Sequence, residues 1–135
     1  MRKRSRAREL ALKFLYQTDI TKEDPFPALR DFWQGHRATR PMKEFTTQMV
    51  QGTLKNLTQI DSILSRYAQN WQLKRMAVID RNILRLGCFE LLFLEDIPPK
   101  VSINEAVELA KKYGDVESSK FVNGILDKIH KAENR

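Results

Sequence analysis

The stretch from Met76 to Glu95, MAVIDRNILRLGCFELLFLE, sets the tightest limit on what this chain folds into. Its apolar residues Val78, Ile79, Ile83, Leu84, Leu86, Phe89, Leu91 and Leu92 fall on most sides of a helix rather than on one stripe. A helix of that kind is stable only when neighbours cover most of its girth. It is therefore expected at the centre of a helical assembly. Gly87 in its middle costs roughly 1 kcal/mol against alanine, and close approach of another helix is the usual compensation. The segment DIPPK ends it, because proline neither donates a backbone hydrogen bond nor fits a helix interior.

The rest of the chain supplies the cover. A first helix is expected over about Ser5 to Thr18, with Ala7, Leu10, Ala11, Phe14 and Leu15 at three- and four-residue steps. A short second helix opens at Pro27 and carries Leu29, Phe32 and Trp33. A third starts near Pro41 and carries Phe45, Met49, Val50 and Leu54. A fourth starts at Thr58, read as a cap with Asp61 three residues on, and carries Ile60, Ile63, Leu64 and Tyr67. After the central helix, Ser102 and Glu105 match a capping box for a sixth helix carrying Ile103, Ala106, Val107, Ala110 and Tyr113. Gly114 follows where a left-handed terminating residue is wanted. A seventh runs over about Ser118 to His130, with Val122, Ile125, Leu126 and Ile129 inward. Strand and hairpin signals are nearly absent. The expectation is an all-α bundle of roughly seven helices in one domain, residues 1–135.

Several function classes lose support. Cys88 is the one cysteine, set in an apolar run where a buried hydrophobe is expected. His36 and His130 show no ligand spacing with it, so no metal and no cofactor is expected. No apolar stretch approaches the ~18–20 residues that span a bilayer, and no secretory core follows the start, so a cytoplasmic protein is expected. There is no phosphate-binding glycine loop, nucleophile elbow or metal motif, and an enzyme is not expected.

Charge points elsewhere. The chain carries 24 Lys and Arg against 17 Asp and Glu, a formal net charge of +7. Polyanions, nucleic acid first, are the partners such a surface favours. The excess is densest at the start, MRKRSRAR, a basic arm over residues 1–8. Cations there oppose the dipole of the first helix, at about 0.3–1 kcal/mol each when exposed. A bound phosphate chain offsets that repulsion. A solvated tail is the plainer reading. A removable address is disfavoured, because the core residues Leu10, Phe14 and Leu15 follow at once.

Two further stretches stand out. In SSKFVNGILDKI, Phe121 lies at the edge of the apolar stripe beside Lys120, with Asn123 and Gly124 following. An aromatic at a basic, amide-bearing edge suits stacking on an unpaired base. Core packing explains the same phenylalanine. Gly124 implies close approach, by another helix or by a ligand backbone. In VIDRNILRLG, Asp80, Arg81 and Arg85 are charges on an otherwise apolar helix, explained by ion pairing or by a partner.

The segments VSINEAVELAKKYGDVESSKFVNGILDKI, DRNILRLGCFEL and RARELALKFLYQ together resemble the transcription antitermination factor NusB family, over essentially the whole chain. The resemblance implies two small helical bundles packed together and no enzymatic activity. It implies binding of single-stranded boxA RNA in ribosomal RNA leader transcripts, together with the ribosomal protein NusE, in the service of an antitermination complex on bacterial RNA polymerase. By the same resemblance, Arg4, Arg6 and Arg8 meet RNA phosphates, and Tyr67, Arg85, Lys120 and Phe121 lie on the RNA-facing surface; Asn123, from the reading of its own stretch above, is counted with the RNA contacts. Tyr16 and Asp80 fall on the NusE-facing side. Glu117 falls in the loop before the last helix, where partner affinity is tuned. Ser5 interrupts an arginine run that the family often keeps unbroken. Residues 1–4 are expected to be mobile without RNA. Some family members dimerise, so a homodimer is an open alternative. A partner-binding or self-associating scaffold without direct RNA contact is the rival reading.

Overall fold

The structure, a computed structural model, describes residues 2–68 and 73–133. Among the described residues seven α-helices follow in chain order: α1 Arg2–Thr21, α2 Pro25–Phe32, α3 Arg40–Lys55, α4 Leu57–Tyr67, α5 Val78–Phe93, α6 Pro99–Tyr113 and α7 Ser118–Glu133. Short 3-10 turns occupy Trp33–Gly35 and Leu73–Arg75. No strand occurs among the described residues. Helices α1–α3 form one small bundle and α4–α7 a second. The apolar stretch that opened the sequence reading is α5, which packs on α1 and α3 of one bundle and on α4, α6 and α7 of the other. That placement is why apolar residues surround it.

The core is continuous across both bundles. Phe14, Leu10, Met49, Ile83, Leu84, Leu126 and Ile129 are all buried. A Cβ added at Gly87 would lie 2.8 Å from Leu126 Cδ1 and 3.4 Å from the Ala106 Cβ. The glycine thus permits the close seating of α6 and α7 on α5. Gly52 does the same on the other side, since the Phe89 ring occupies the space a Cβ would take, with Cζ 2.0 Å away. Gly124 differs. It is exposed, with nothing within 4 Å of an added Cβ, so no helix of this chain approaches it.

Local signals decide most helix starts. Asp24 caps α2 by accepting the Phe26 N–H at 3.1 Å, with Pro25 and Pro27 in the opening turn. Thr39 caps α3 by accepting the Met42 N–H at 3.4 Å. Asp115 Oδ1 accepts the Glu117 and Ser118 N–H groups at 2.9 and 3.1 Å ahead of α7.

Three expected caps are corrected. Helix α6 begins at Pro99, so Ser102 and Glu105 lie inside it, and both side chains turn to buried partners instead. Helix α4 begins at Leu57 with no side-chain cap, and Asp61 is engaged by Arg85. Gly114 is extended, at φ −90° and ψ −173°, rather than left-handed. Among the described residues, the one positive φ outside glycine is at Lys22, 60°, directly after α1. The first helix also starts earlier than expected. Residues 2–4 belong to the helix, and Met1 lies outside the described residues.

Candidate nucleic-acid interface

The basic start is an ordered helix end because two of its arginines are anchored. Arg8 is 3% exposed and meets Glu90 of α5 through two parallel bonds, Nε to Oε1 at 2.8 Å and Nη2 to Oε2 at 2.7 Å. Glu105 of α6 lies 3.4 Å from its Nη1. Ser102 Oγ donates to Glu90 Oε2 at 2.7 Å. A buried charge needs such company, since an unpaired one costs several kcal/mol. This overturns the expectation that Arg8 meets phosphate. Its guanidinium is enclosed by α1, α5 and α6 and paired with Glu90 and Glu105.

Arg4, one turn earlier, is exposed, yet it is held in place. Its guanidinium carbon sits 4.5 Å from the centroid of the Phe45 ring on α3, and the Arg8 guanidinium lies 5.3 Å from the same ring. Such a cation–π contact contributes about 0.5–1 kcal/mol at an exposed site. It fixes the stem of Arg4 while leaving guanidinium N–H groups for a ligand. Arg6 pairs with Glu9 and keeps 40% of its side chain exposed. Lys3 is exposed. No acidic residue lies in the first turn of α1, so the helix end presents positive charge alone.

Glu9 closes the back of this end. It accepts from Lys112 Nζ at 2.5 Å and from the Tyr113 hydroxyl at 2.6 Å, both of α6, as well as from Arg6. Burial alone would raise its pKa, but these three donors outweigh that and lower it to about 2. The same hydrogen bond and charge raise the pKa of Lys112.

The other expected contacts are spread out. Lys120 and Asn123 are exposed on α7, and Phe121 is half-buried, with part of its ring packed against the core. Tyr67 is elsewhere. Its hydroxyl donates to Glu133 Oε2 at 2.5 Å, beside Arg66 Nη1 at 2.8 Å from the same oxygen. Hydrogen bonding to Glu133 raises the Tyr67 pKa. Lys120 and Glu133 stand at opposite ends of α7, about 20 Å apart along its axis. Tyr67 is therefore not brought to the Lys120–Asn123 edge. Arg85 is not a free cation in this fold. It holds Asp61 through Nε and Nη2, both at 2.8 Å, and reaches Asp19 at 3.1 Å. Asp19 also accepts from Arg81 and Asn82 at 2.9 Å. Burial opposes the Asp19 charge, and donation from Asn82, Arg81 and Lys22 overcomes it, lowering the pKa to about 2. The network ties α1, α4 and α5, and it takes Arg85 out of the free cations.

On another face, Tyr16 is exposed on α1 and lines a groove of about 640 Å³ with Lys13, Val78, Ile79 and Tyr113. Asp80 follows Ile79 directly, in the first turn of α5, and its Oδ1 is buried with no hydrogen-bond partner among the described residues. Glu117 is exposed in the α6–α7 loop beside Val116, which is 87% exposed. Tyr16 and the start of α5 thus share one groove. Phe45, Glu90, Ser102 and Glu105 escaped the sequence reading as site residues. A lone glutamate in LGCFELLFL was the available signal, because a carboxylate on a buried helix requires a buried cation.

Among the described residues no His, Cys, Asp and Glu cluster suits a metal, and no helix is long and apolar enough to cross a membrane. Cys88 is buried, and burial pushes its thiol up to about 12.

Comparison with known proteins agrees with this architecture. The family model described as NusB family matches residues 5–131. The transcription antitermination protein NusB of Pelotomaculum thermopropionicum is 46% identical over 126 residues, covering 93% of this chain and 88% of that protein. The protein of the same name from Bacillus licheniformis is 46% identical over 127 residues, 94% of this chain and 95% of its own. A solved structure of T. maritima NusB superposes with a TM-score of 0.90 at 41% identity, over 98% of this chain and 93% of that one. A crystal structure of antitermination factors NusB and NusE in complex with dsRNA superposes at 0.89 and 33% identity, over 98% of each chain. Matched nearly end to end in sequence and in space, the chain has one assignment: it belongs to the NusB family.

Proposed function

We propose that this chain is an RNA-binding transcription antitermination factor that, with NusE, binds boxA RNA of ribosomal RNA leader transcripts and joins an antitermination complex on RNA polymerase. The observation that carries the RNA part is the start of α1. Arg4, Arg6 and Lys3 stand at a rigid helix end, with Arg4 preset over Phe45 and Arg8 anchoring the helix beneath them. Preset cations bind phosphate without first losing their own freedom. Lys120, Asn123 and the edge of Phe121 supply the second element, a cation, an amide and a ring face for an unstacked base. Phosphate contacts set affinity and register, and base stacking sets preference. The groove of Tyr16, with Asp80 and Glu117 nearby, is the proposed NusE side, and the unpartnered Asp80 oxygen is an acceptor a partner donor would satisfy. The reading is of a cytoplasmic adaptor that acts by binding, without cofactor.

The relative crystallised with NusE held dsRNA, so the strand form belongs in the test. Titrations compare boxA-type single-stranded RNA, a scrambled strand and a duplex, each with and without NusE. The boxA-type single strand binds tightest, and NusE tightens it further. Its log affinity falls with log salt at about −0.7 per phosphate contacted, hence about −2 to −3 for three to four contacts. Equal binding of all three RNAs in both conditions removes the proposal.

A further inference from the structure

A groove of about 680 Å³ runs between α2 and α3, on neither of the faces described above. Leu29, Trp33, Val50 and Leu54 form its walls, and Phe26 stands at its lip with 75% of its surface exposed. Nothing in the fold requires a phenylalanine there. Contiguous exposed apolar surface of this kind marks an interaction site. The polar rim has one sign. Arg30 and Lys55 line the groove, Lys43 Nζ lies 5.7 Å from the Trp33 ring centroid, and no carboxylate lines it. Among the described residues none of these three cations is in an ion pair; the pair on α3 joins Arg40 to Glu44.

We propose that the α2–α3 groove docks an amphipathic helix of a protein partner, with an apolar face flanked by acidic residues. The geometry suits that occupant. Two packed helices leave a trough, and α2 offers about 12 Å of wall, two turns of a guest helix read as i, i+3, i+4 and i+7 anchors. Arg30 on one wall and Lys55 on the other complement acidic flanks. A second copy of this chain is the poorer occupant, since both copies carry +7 and the rim is itself basic. RNA is poorer as well, because the walls include aliphatic Leu29, Val50 and Leu54 and the lining offers only Gln51 as an uncharged polar side chain for reading a base edge. The inference stands apart from the RNA reading and does not depend on it.

The test uses the full chain and two fluorescein-labelled 14-residue peptides with the same leucine face, one flanked by glutamates and one by lysines, followed by anisotropy. The glutamate peptide binds at least ten-fold tighter than the lysine peptide. Phe26→Ala, at an exposed position, weakens it ten-fold or more with the melting temperature unchanged. The double variant Arg30→Glu/Lys55→Glu reverses the preference. Equal binding of the two peptides, or binding of neither, overturns the proposal. So does single-stranded RNA whose affinity drops on Phe26→Ala while peptide binding does not. A concentration-dependent dimer in light scattering, abolished by Phe26→Ala, overturns it in favour of a second copy.

Discussion

Arg8 and Glu90, 82 residues apart in sequence, are locked together by two parallel charge-assisted hydrogen bonds of 2.7 and 2.8 Å in the buried seam between α1 and α5. The pair joins the two small bundles, and it orders the helix end whose outer cations are proposed to meet RNA. Breaking one side leaves a buried charge alone, at about 3–5 kcal/mol. Arg8→Met is therefore expected to lower the urea midpoint by a corresponding amount. Arg8→Met/Glu90→Met removes both charges and recovers much of that loss. A double variant no more stable than the worse single would contradict the pairing as the source of the cost.

Arg4 and Phe45 separate positioning from contact. Arg4→Ala removes a phosphate partner and lowers the steepness of the salt dependence by about 0.7. Phe45→Leu keeps the cation but loses the ring beneath it, weakening RNA binding with the salt slope nearly intact. Phe45→Tyr restores it. RNA titrations at four salt concentrations distinguish the three. A Phe45→Leu variant that binds RNA as the parent does would rule out presetting by the ring.

Much of the fold was readable in the sequence, because buried faces repeat every three to four residues and nothing long-range is needed to see that. Leu10, Phe14, Ile83 and Leu126 sit where their spacing put them. End signals were less readable. Ser102 and Glu105 have the composition of a cap, but Glu90 and Arg8 compete for both side chains, and Pro99 starts the helix a turn earlier. The site was legible only as residue types. Arginines in a row look equivalent, whereas burial separates Arg8 from Arg4, and the decisive partner lies on another helix. The pairing of Arg85 with Asp61 and Asp19 was hidden for the same reason.

Acid sensitivity follows from Glu9 and Asp19. Both carboxyls have pKa values lowered to about 2, from ordinary values of 4.5 and 3.8. A depressed folded-state pKa contributes stability that is present above the ordinary value and lost as pH falls toward the lowered one. Stability should thus decline between about pH 4.5 and 2. Glu9→Gln removes part of that slope, so its urea midpoint should fall less steeply with acid than the parent's. Parallel acid profiles for parent and variant would show that Glu9 is not a source.

Gly87 and Gly124 are both mid-helix glycines, and the fold treats them oppositely. A Cβ at Gly87 meets Leu126 Cδ1 at 2.8 Å, so the β-branched Gly87→Val makes the buried Leu126 side chain shift in a packed seam and should cost about 1–3 kcal/mol. Nothing opposes a Cβ at Gly124. Gly124→Ala should instead stabilise by about 0.5–1 kcal/mol, through helix propensity and a less free unfolded chain. Thermal and urea unfolding of the two variants should shift in opposite directions. Destabilisation by Gly124→Ala would mean that another part of the chain needs the space beside α7. A silent Gly87→Val would mean that the Leu126 side chain moves aside without loss of packing.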